Sequence, residues 1–233
     1  MTTGRCTTRT VALVGADGAG KSTISQMLER EPLPFPVKRV YMGVNLESSS
    51  LMLPTTRLLL AAKRARGRAP DLVAEAAPAP PAGRRGRRWQ RHAKDAARLT
   101  VWLLEEWLRQ AVAATYARRG YLVVFDRHFY ADYYHSAISP TGAPDALRRL
   151  HGWTLQHAYP KPDLVICLDA PGEVLFARKP EATADWLEQR RRQYLGLADV
   201  VPAFAVVDAD RPLQAVFTDV VATIRAQGEE MAR

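Results

Sequence analysis

The chain has 233 residues, a net charge of +9, a hydrophobic content of 47% and two cysteines. Length and apolar content suit an α/β domain with a sizeable core. Cys6 and Cys167 lack metal-ligand spacing and argue against a disulfide framework. No run reaches the roughly 18 apolar residues of a membrane span, and Met1 to Cys6 lacks the apolar segment of a secretory signal; the expectation is a cytoplasmic protein with no membrane partner.

The first predicted element is a buried strand, Val11 to Val14, which runs into Gly15-Ala16-Asp17-Gly18-Ala19-Gly20-Lys21-Ser22-Thr23 and then a helix. The spacing G-x-x-x-x-G-K-S/T marks a phosphate cradle. Its glycines let successive N–H groups face one anion, Lys21 puts a point charge at the outer phosphates, and Ser22 offers a hydroxyl to Mg2+. The following helix adds its unpaired N–H groups and positive dipole end. After the Pro32 to Pro36 breaker, Val37 to Gly43 reads as a second strand and its loop, and Asn45 to Ser50 as polar loop. Leu51 to Leu60 suggests a short helix interrupted at Pro54.

Between Arg57 and Arg98, twelve lysines and arginines face only Asp71, Glu75 and Asp95, a local excess that accounts for the whole net charge. A balanced body with one basic insertion, at about 62–90, points to local anion binding rather than a nucleic-acid surface. Residues 66–88 are rich in Ala, Pro, Gly and Arg and have no usable period. Two readings stand for the insertion: a mobile flap closing over bound phosphates, or a disordered solubilising loop. A helix is predicted from about Arg88 to Arg118, with Leu99, Trp102, Leu103, Trp107, Leu108, Val112 and Tyr116 as its core stripe and Gly120 as its stop.

Tyr121 to Asp126 and Leu164 to Asp169 are predicted buried strands, each ending in a carboxylate. In parallel sheets that end faces the ligand crevice, so Asp126 should look toward the glycine loop. A helix from Pro171 to Lys179, a strongly basic helix from Trp186 to Leu197, a last strand Phe204 to Asp208 and a last helix Leu213 to Ile224 complete an alternation of strands and helices. The expected architecture is one domain over 1–233, a three-layer α/β sandwich with a parallel sheet.

These motifs, in this order, resemble the thymidylate kinase branch of the P-loop nucleoside monophosphate kinases. Besides the phosphate loop, Asp126-Arg127-His128 is similar to the family's D-R-Y/H and Pro162 to Pro171 to P-D-x-x-x-x-L-D-x-P. Trp186 to Ala198 is similar to F-x-x-x-x-R-x-x-Y-L-x-L-A, and Val207 to Val216 to I-D-A-x-x-P-L-x-x-V. The resemblance implies a P-loop nucleoside triphosphate hydrolase fold, ATP and Mg2+ as cofactors, and transfer of a γ-phosphoryl group to a nucleoside monophosphate or similar phosphorylated small molecule. Lys21 and residues 15–23 would hold the donor, and Ser22 and Asp126 the metal. Arg127 would grip the acceptor's anionic group, and a lid at about 177–192 would bring Arg178, Lys179 or Arg191 to the transferred phosphoryl. Asp17 would either receive a sugar hydroxyl or brace the loop. Family members are commonly homodimers through helices flanking the sheet; the face from Trp102 to Tyr116 is either such an interface or interior.

The acceptor half departs from the pattern. Where thymidylate kinases carry R-E-P-G-G after the second strand, this chain has Tyr41-Met42-Gly43-Val44-Asn45-Leu46-Glu47, and where the family has A-Y-Q it has Tyr134, His135 and Ser136. Phe129, Tyr130, Tyr133 and Tyr134 are either core rings or a stack for a planar acceptor, with His151, Trp153 and His157 on the next helix. Glu47 is either a loop glutamate or a base for a hydroxyl acceptor; this second reading makes the chain a kinase of a nucleoside, sugar or secondary-metabolite alcohol. A third is a non-catalytic or polyanion-binding P-loop NTPase.

Overall fold

In the computed structural model, residues 9–43, 53, 56, 85–128 and 146–230 are described. Five strands form one sheet: β1 (Thr10–Val14), β2 (Val37–Tyr41), β3 (Leu122–Asp126), β4 (Leu164–Asp169) and β5 (Phe204–Asp208). Their order is β2-β3-β1-β4-β5 and every pairing is parallel. The helices are α1 (Lys21–Arg30), α2 (Arg85–Arg118), α3 (Ala146–His157), α4 (Gly172–Arg178), α5 (Ala184–Leu195) and α6 (Leu213–Glu230).

Strand alternation divides the sheet's side chains between two cores. Val11 and Leu13 of β1, Leu122 and Val124 of β3, and Leu164, Ile166 and Leu168 of β4 pack with Ile24 and Leu28 of α1 and with Val216, Phe217, Val220 and Ile224 of α6. The intervening residues, Ala12 and Val14, Val123 and Phe125, Val165 and Cys167, pack with Ala113 of α2, Leu155 of α3 and Tyr194 of α5. Strands buried on both faces read as continuous apolar runs, which is why they were legible without a period-two pattern. The three-layer parallel architecture is therefore as expected.

β1 is tied to β4 below the site by one side chain. Asp163 Oδ2 accepts from the Arg9 and Thr10 N–H groups and from Thr10 Oγ1, each at 2.9 Å, and Thr10 Oγ1 accepts from Asp163 N–H. The aspartate of the Pro162-Asp163 motif is thus a staple at the amino ends of the strands, far from the crevice.

The helix expected from about 88 to 118 begins at Arg85, and its buried face differs from the apolar stripe read from the sequence. Trp107 is 41% exposed and Leu104 is exposed, whereas Glu105, Glu106, Arg109, Gln110 and Ala113 are buried. Polar partners explain the inversion. Glu105 Oε1 accepts from Leu53 N–H at 2.9 Å, Glu106 Oε1 lies 3.1 Å from His151 Nε2, Arg109 Nη1 donates to the Gly43 carbonyl at 3.1 Å, and Gln110 Nε2 donates to the Pro160 carbonyl at 3.3 Å. Trp153 is exposed and stacks on His157. The side chains of Leu99 and Trp102, residues 129–145 and most of the 62–90 insertion lie outside the described residues. Among the described residues, no helix is long and apolar enough to cross a membrane.

His128, just beyond β3, is buried against the Phe125 and Tyr159 rings, and burial depresses its pKa from 6.5 to about 3. The native state therefore keeps the imidazole neutral while the unfolded chain protonates. Its contribution to stability is complete above pH 6.5 and declines as pH falls through the window from about 6.5 to about 3. By pH 5.5 this residue alone should lower the unfolding free energy by about 1.4 kcal/mol. Urea titrations of wild type and His128→Leu at pH 7.5 and 5.5 check this: the stability difference between them should shift by that amount in favour of the variant on acidification.

Candidate active site

β1, β3 and β4 lie side by side, so the turns after them meet at the carboxyl edge of the sheet. The loop after β1 reaches its shape through backbone approach. Gly15 (φ +138°) passes so close to β4 that an added Cβ would stand 2.5 Å from the Leu168 carbonyl oxygen. Gly20 (φ +86°) sits at the helix N-cap, where it has no side chain to cap the first N–H groups of α1. Ala16, Gly18, Ala19 and Thr23 complete the cradle, and Ala16 and Ala19 are buried in its floor. Lys21 is buried and donates to the Gly15 and Ala16 carbonyls at 2.8 and 2.7 Å, curled within the loop it follows.

Opposite this cradle stands the end of β3. Asp126 is 2% exposed; its Oδ1 accepts from Ser22 Oγ at 3.2 Å and its Oδ2 from Arg39 Nη1 at 3.4 Å. Asp126 thus faces the glycine loop, as expected from its place at the end of a strand, and lies beside Ser22, the other residue named from the sequence for Mg2+. These are hard oxygen donors, one neutral and one anionic, of the kind Mg2+ prefers. Among the described residues no cluster of three His, Cys, Asp or Glu could hold a metal alone, so a cation here would complete its shell with phosphate and water oxygens.

Arg127 adopts a left-handed backbone, φ +69°, the one non-glycine residue with positive φ among those described. Its guanidinium crosses to the glycine loop and bonds Asp17 Oδ1 at 2.5 Å, while its stem lies against Gly43. Burial would raise the Asp17 carboxyl, but Arg127, then Lys21 and more distantly Lys179, outweigh it and hold the group below the ordinary carboxylate range. Asp17 and Arg127, both named from the sequence, thus meet across the crevice. Glu47, Tyr130 and Tyr134 lie outside the described residues.

The expected lid cations each hold a partner outside the loop. Arg191 of α5 makes a bidentate pair with Asp169 at the end of β4, Nε to Oδ1 at 2.7 Å and Nη2 to Oδ2 at 2.9 Å, and its Nη1 reaches Glu188 Oε1 at 3.0 Å. Glu188 Oε2 in turn accepts from Gly172 N–H at 3.2 Å, so α5 is fastened to the start of α4 as well as to β4. Arg178 donates to the Ala209 carbonyl at 2.9 Å and lies 3.6 Å from Asp210, past the end of β5. Lys179 pairs with Glu181 at 2.8 Å.

Sequence reasoning missed Arg39. A charged residue in a short strand reads as a solvent-facing position. The available signal was its parity with Val37 and Tyr41, which puts it on the α1 side of the sheet where Glu29 and Asp126 wait. Arg109 was missed for the related reason that an arginine inside a helix is scored as solvent-facing.

The two glycines separate steric from conformational cost. Gly15→Ala should lose roughly 2–4 kcal/mol because the methyl group meets backbone, whereas Gly20→Ala, with nothing within 4 Å of its added carbon, should lose only about 1 kcal/mol from its left-handed backbone. Equal losses in denaturant unfolding would show that the approach to Leu168 is not limiting.

No protein-family model matches the chain. It is similar to a probable thymidylate kinase of Pyrobaculum aerophilum, 26% identical over 231 residues that span 92% of this chain and 95% of that protein. Probable thymidylate kinases of Archaeoglobus fulgidus and Staphylothermus marinus are 35% and 36% identical over 108 and 114 residues, covering 43% and 45% of this chain and 52% and 53% of theirs. Among solved structures, a deoxyadenosine kinase from M. mycoides with bound dATP aligns with a TM-score of 0.52 at 14% identity, covering 93% of this chain and 98% of that one, a likeness of fold. With the glycine loop, the strand-end aspartate and the parallel sheet already in place, the chain is similar in sequence to probable thymidylate kinases and in fold to a deoxyadenosine kinase.

Proposed function

We propose that this kinase acts on nucleotides, moving the γ-phosphoryl group of ATP, in a Mg2+-dependent reaction, to a nucleoside monophosphate or a similarly phosphorylated small molecule. The observation that carries the reading is Arg127: a guanidinium held in a strained left-handed backbone directly across the crevice from the phosphate cradle. A planar, permanently charged fork in that position suits a second phosphate beside the donor's.

Phosphoryl transfer needs alignment and charge neutralisation more than covalent chemistry. The loop N–H groups and the start of α1 would bind the donor phosphates, and Lys21 would exchange the Gly15 and Ala16 carbonyls for outer phosphate oxygens. Ser22 and Asp126 would hold Mg2+, which when bound neutralises charge on the donor phosphates. Arg127 would leave Asp17 for the acceptor phosphate. An ionised oxygen of that phosphate then forms a bond to the γ-phosphorus as the bond to the β–γ bridging oxygen breaks, releasing ADP; no base is required. Residues 177–192 would act as the lid, Arg191 leaving Asp169 and Arg178 leaving Ala209 as it closes.

A hydroxyl acceptor is the second reading, favoured because Arg127 is already neutralised by Asp17. A proton must then be removed, and Asp126 or Glu47 would be the base.

A screen with labelled ATP and Mg2+ against nucleoside monophosphates, including thymidylate, and against nucleosides and sugars separates the two. Turnover of a monophosphate is expected, with Arg127→Met raising the acceptor KM about 10- to 100-fold at unchanged ATP affinity. Turnover of alcohols alone would overturn the phosphate-acceptor reading. Lys21→Ala should reduce kcat by about 10²–10³-fold, and retention of full activity in a folded variant would remove the donor-site assignment.

A further inference from the structure

Arg39 belongs to none of the motifs, yet it is the charged group bonded to Asp126 among the described residues. Asp126 is almost wholly buried, and a buried carboxylate without a counter-ion is costly. Lys21 is bonded to the Gly15 and Ala16 carbonyls and Arg127 to Asp17. Arg39 therefore supplies the compensating charge, its Nη1 3.4 Å from Asp126 Oδ2, on the carboxylate whose other oxygen faces Ser22.

Its other edge is anchored separately. Arg39 Nε lies 3.6 Å from Glu29 Oε2, and its backbone N–H donates to Glu29 Oε1, which also accepts from Lys38 Nζ at 2.9 Å. The guanidinium thus spans two carboxylates, one on α1 and one on β3, and can give up the second while keeping the first.

We infer that Arg39 is the resting counter-ion of Asp126 and an electrostatic competitor of the divalent cation, so that metal enters this site together with a phosphate-bearing ligand and not alone. The inference rests on Asp126 being the metal-side carboxylate of the proposed reaction. A cation of charge +2 arriving beside Asp126 meets the +1 of Arg39, and Asp126 cannot offset both, while Glu29, the other carboxylate on Arg39, is shared with Lys38. Donor phosphates bring the missing negative charge. Arg39 acts through Asp126 and is a positioning residue, distinct from the groups that touch substrate.

The test is Mn2+ binding to the nucleotide-free protein at low salt, followed by the EPR signal of free Mn2+, for wild type, Arg39→Gln, Arg39→Lys and the double variant Arg39→Gln/Asp126→Asn. Arg39→Gln should bind Mn2+ about tenfold more tightly than wild type, equivalent to ~1.4 kcal/mol. Arg39→Lys, which retains the charge, should stay close to wild type, and adding Asp126→Asn should abolish the gain. A purely structural role would loosen binding instead. Should Arg39→Gln unfold, Arg39→Met, which keeps the apolar stem, is read in the same way.

Binding of Mn2+ together with ATP by Asp126→Asn keeps two failures apart. If that variant weakens binding while Arg39→Gln gains nothing, Asp126 holds the metal and Arg39 is no competitor, which overturns the inference alone. If Asp126→Asn leaves binding unchanged, the metal role of Asp126 falls, and the inference with it.

Discussion

The carboxyl edge of the sheet is an acidic rim whose carboxylates each require a counter-charge. Parallel pairing of β1 with β3 and β4 brings Asp126 and Asp169 to the same edge as the glycine loop and its Asp17. Each acid has an arginine: Arg39 for Asp126, Arg127 for Asp17, Arg191 for Asp169. Three ion pairs link β2 to β3, the end of β3 to the loop, and α5 to β4. Each pair therefore joins two segments that are separate in the sequence while offsetting a carboxylate at the edge of the sheet.

Such pairs contribute little to net stability where they are half-exposed, and the fold does not depend on them for cohesion. Cohesion comes from the two apolar layers, in which α1 and α6 cover one face of the sheet and α2 and α3 the other. The charge network instead fixes how the segments around the crevice meet one another. Arg191 illustrates the difference: all three of its described hydrogen bonds go to carboxylates of the protein, so a path to phosphate has to open an existing contact.

Much of this was legible in the residues. The glycine spacing after an apolar strand foretold a tight strand-to-helix turn, which the positive φ of Gly15, Gly18 and Gly20 bears out, and the carboxylate ending a buried strand foretold that Asp126 would face that loop. What escaped was polar burial. Hydrophobic periodicity scores Trp107 as core and Arg109 as surface; the structure reverses both, because the face of α2 toward β2 and α3 has peptide carbonyls and His151 to satisfy. The four-residue recurrence of Glu105 and Arg109, and of Glu106 and Gln110, carried that information in a form that apolar counting ignores. Arg39 escaped likewise, since strand alternation assigns a face to a side chain but not a partner.

The staple at Asp163 has a bearing on how the chain is made. β1 lies in the middle of the sheet, and both neighbours come from far along the chain, β3 starting at Leu122 and β4 at Leu164. Asp163 reaches back across an interval of 153 residues to hold Thr10. On a ribosome adding about 5–20 residues each second, the first strand emerges roughly 8–30 s before its second partner exists. The glycine loop that follows β1 is therefore translated well before the strands that flank it and is among the last parts to close, and during that interval an apolar strand with two open edges is exposed to any chaperone able to shield it.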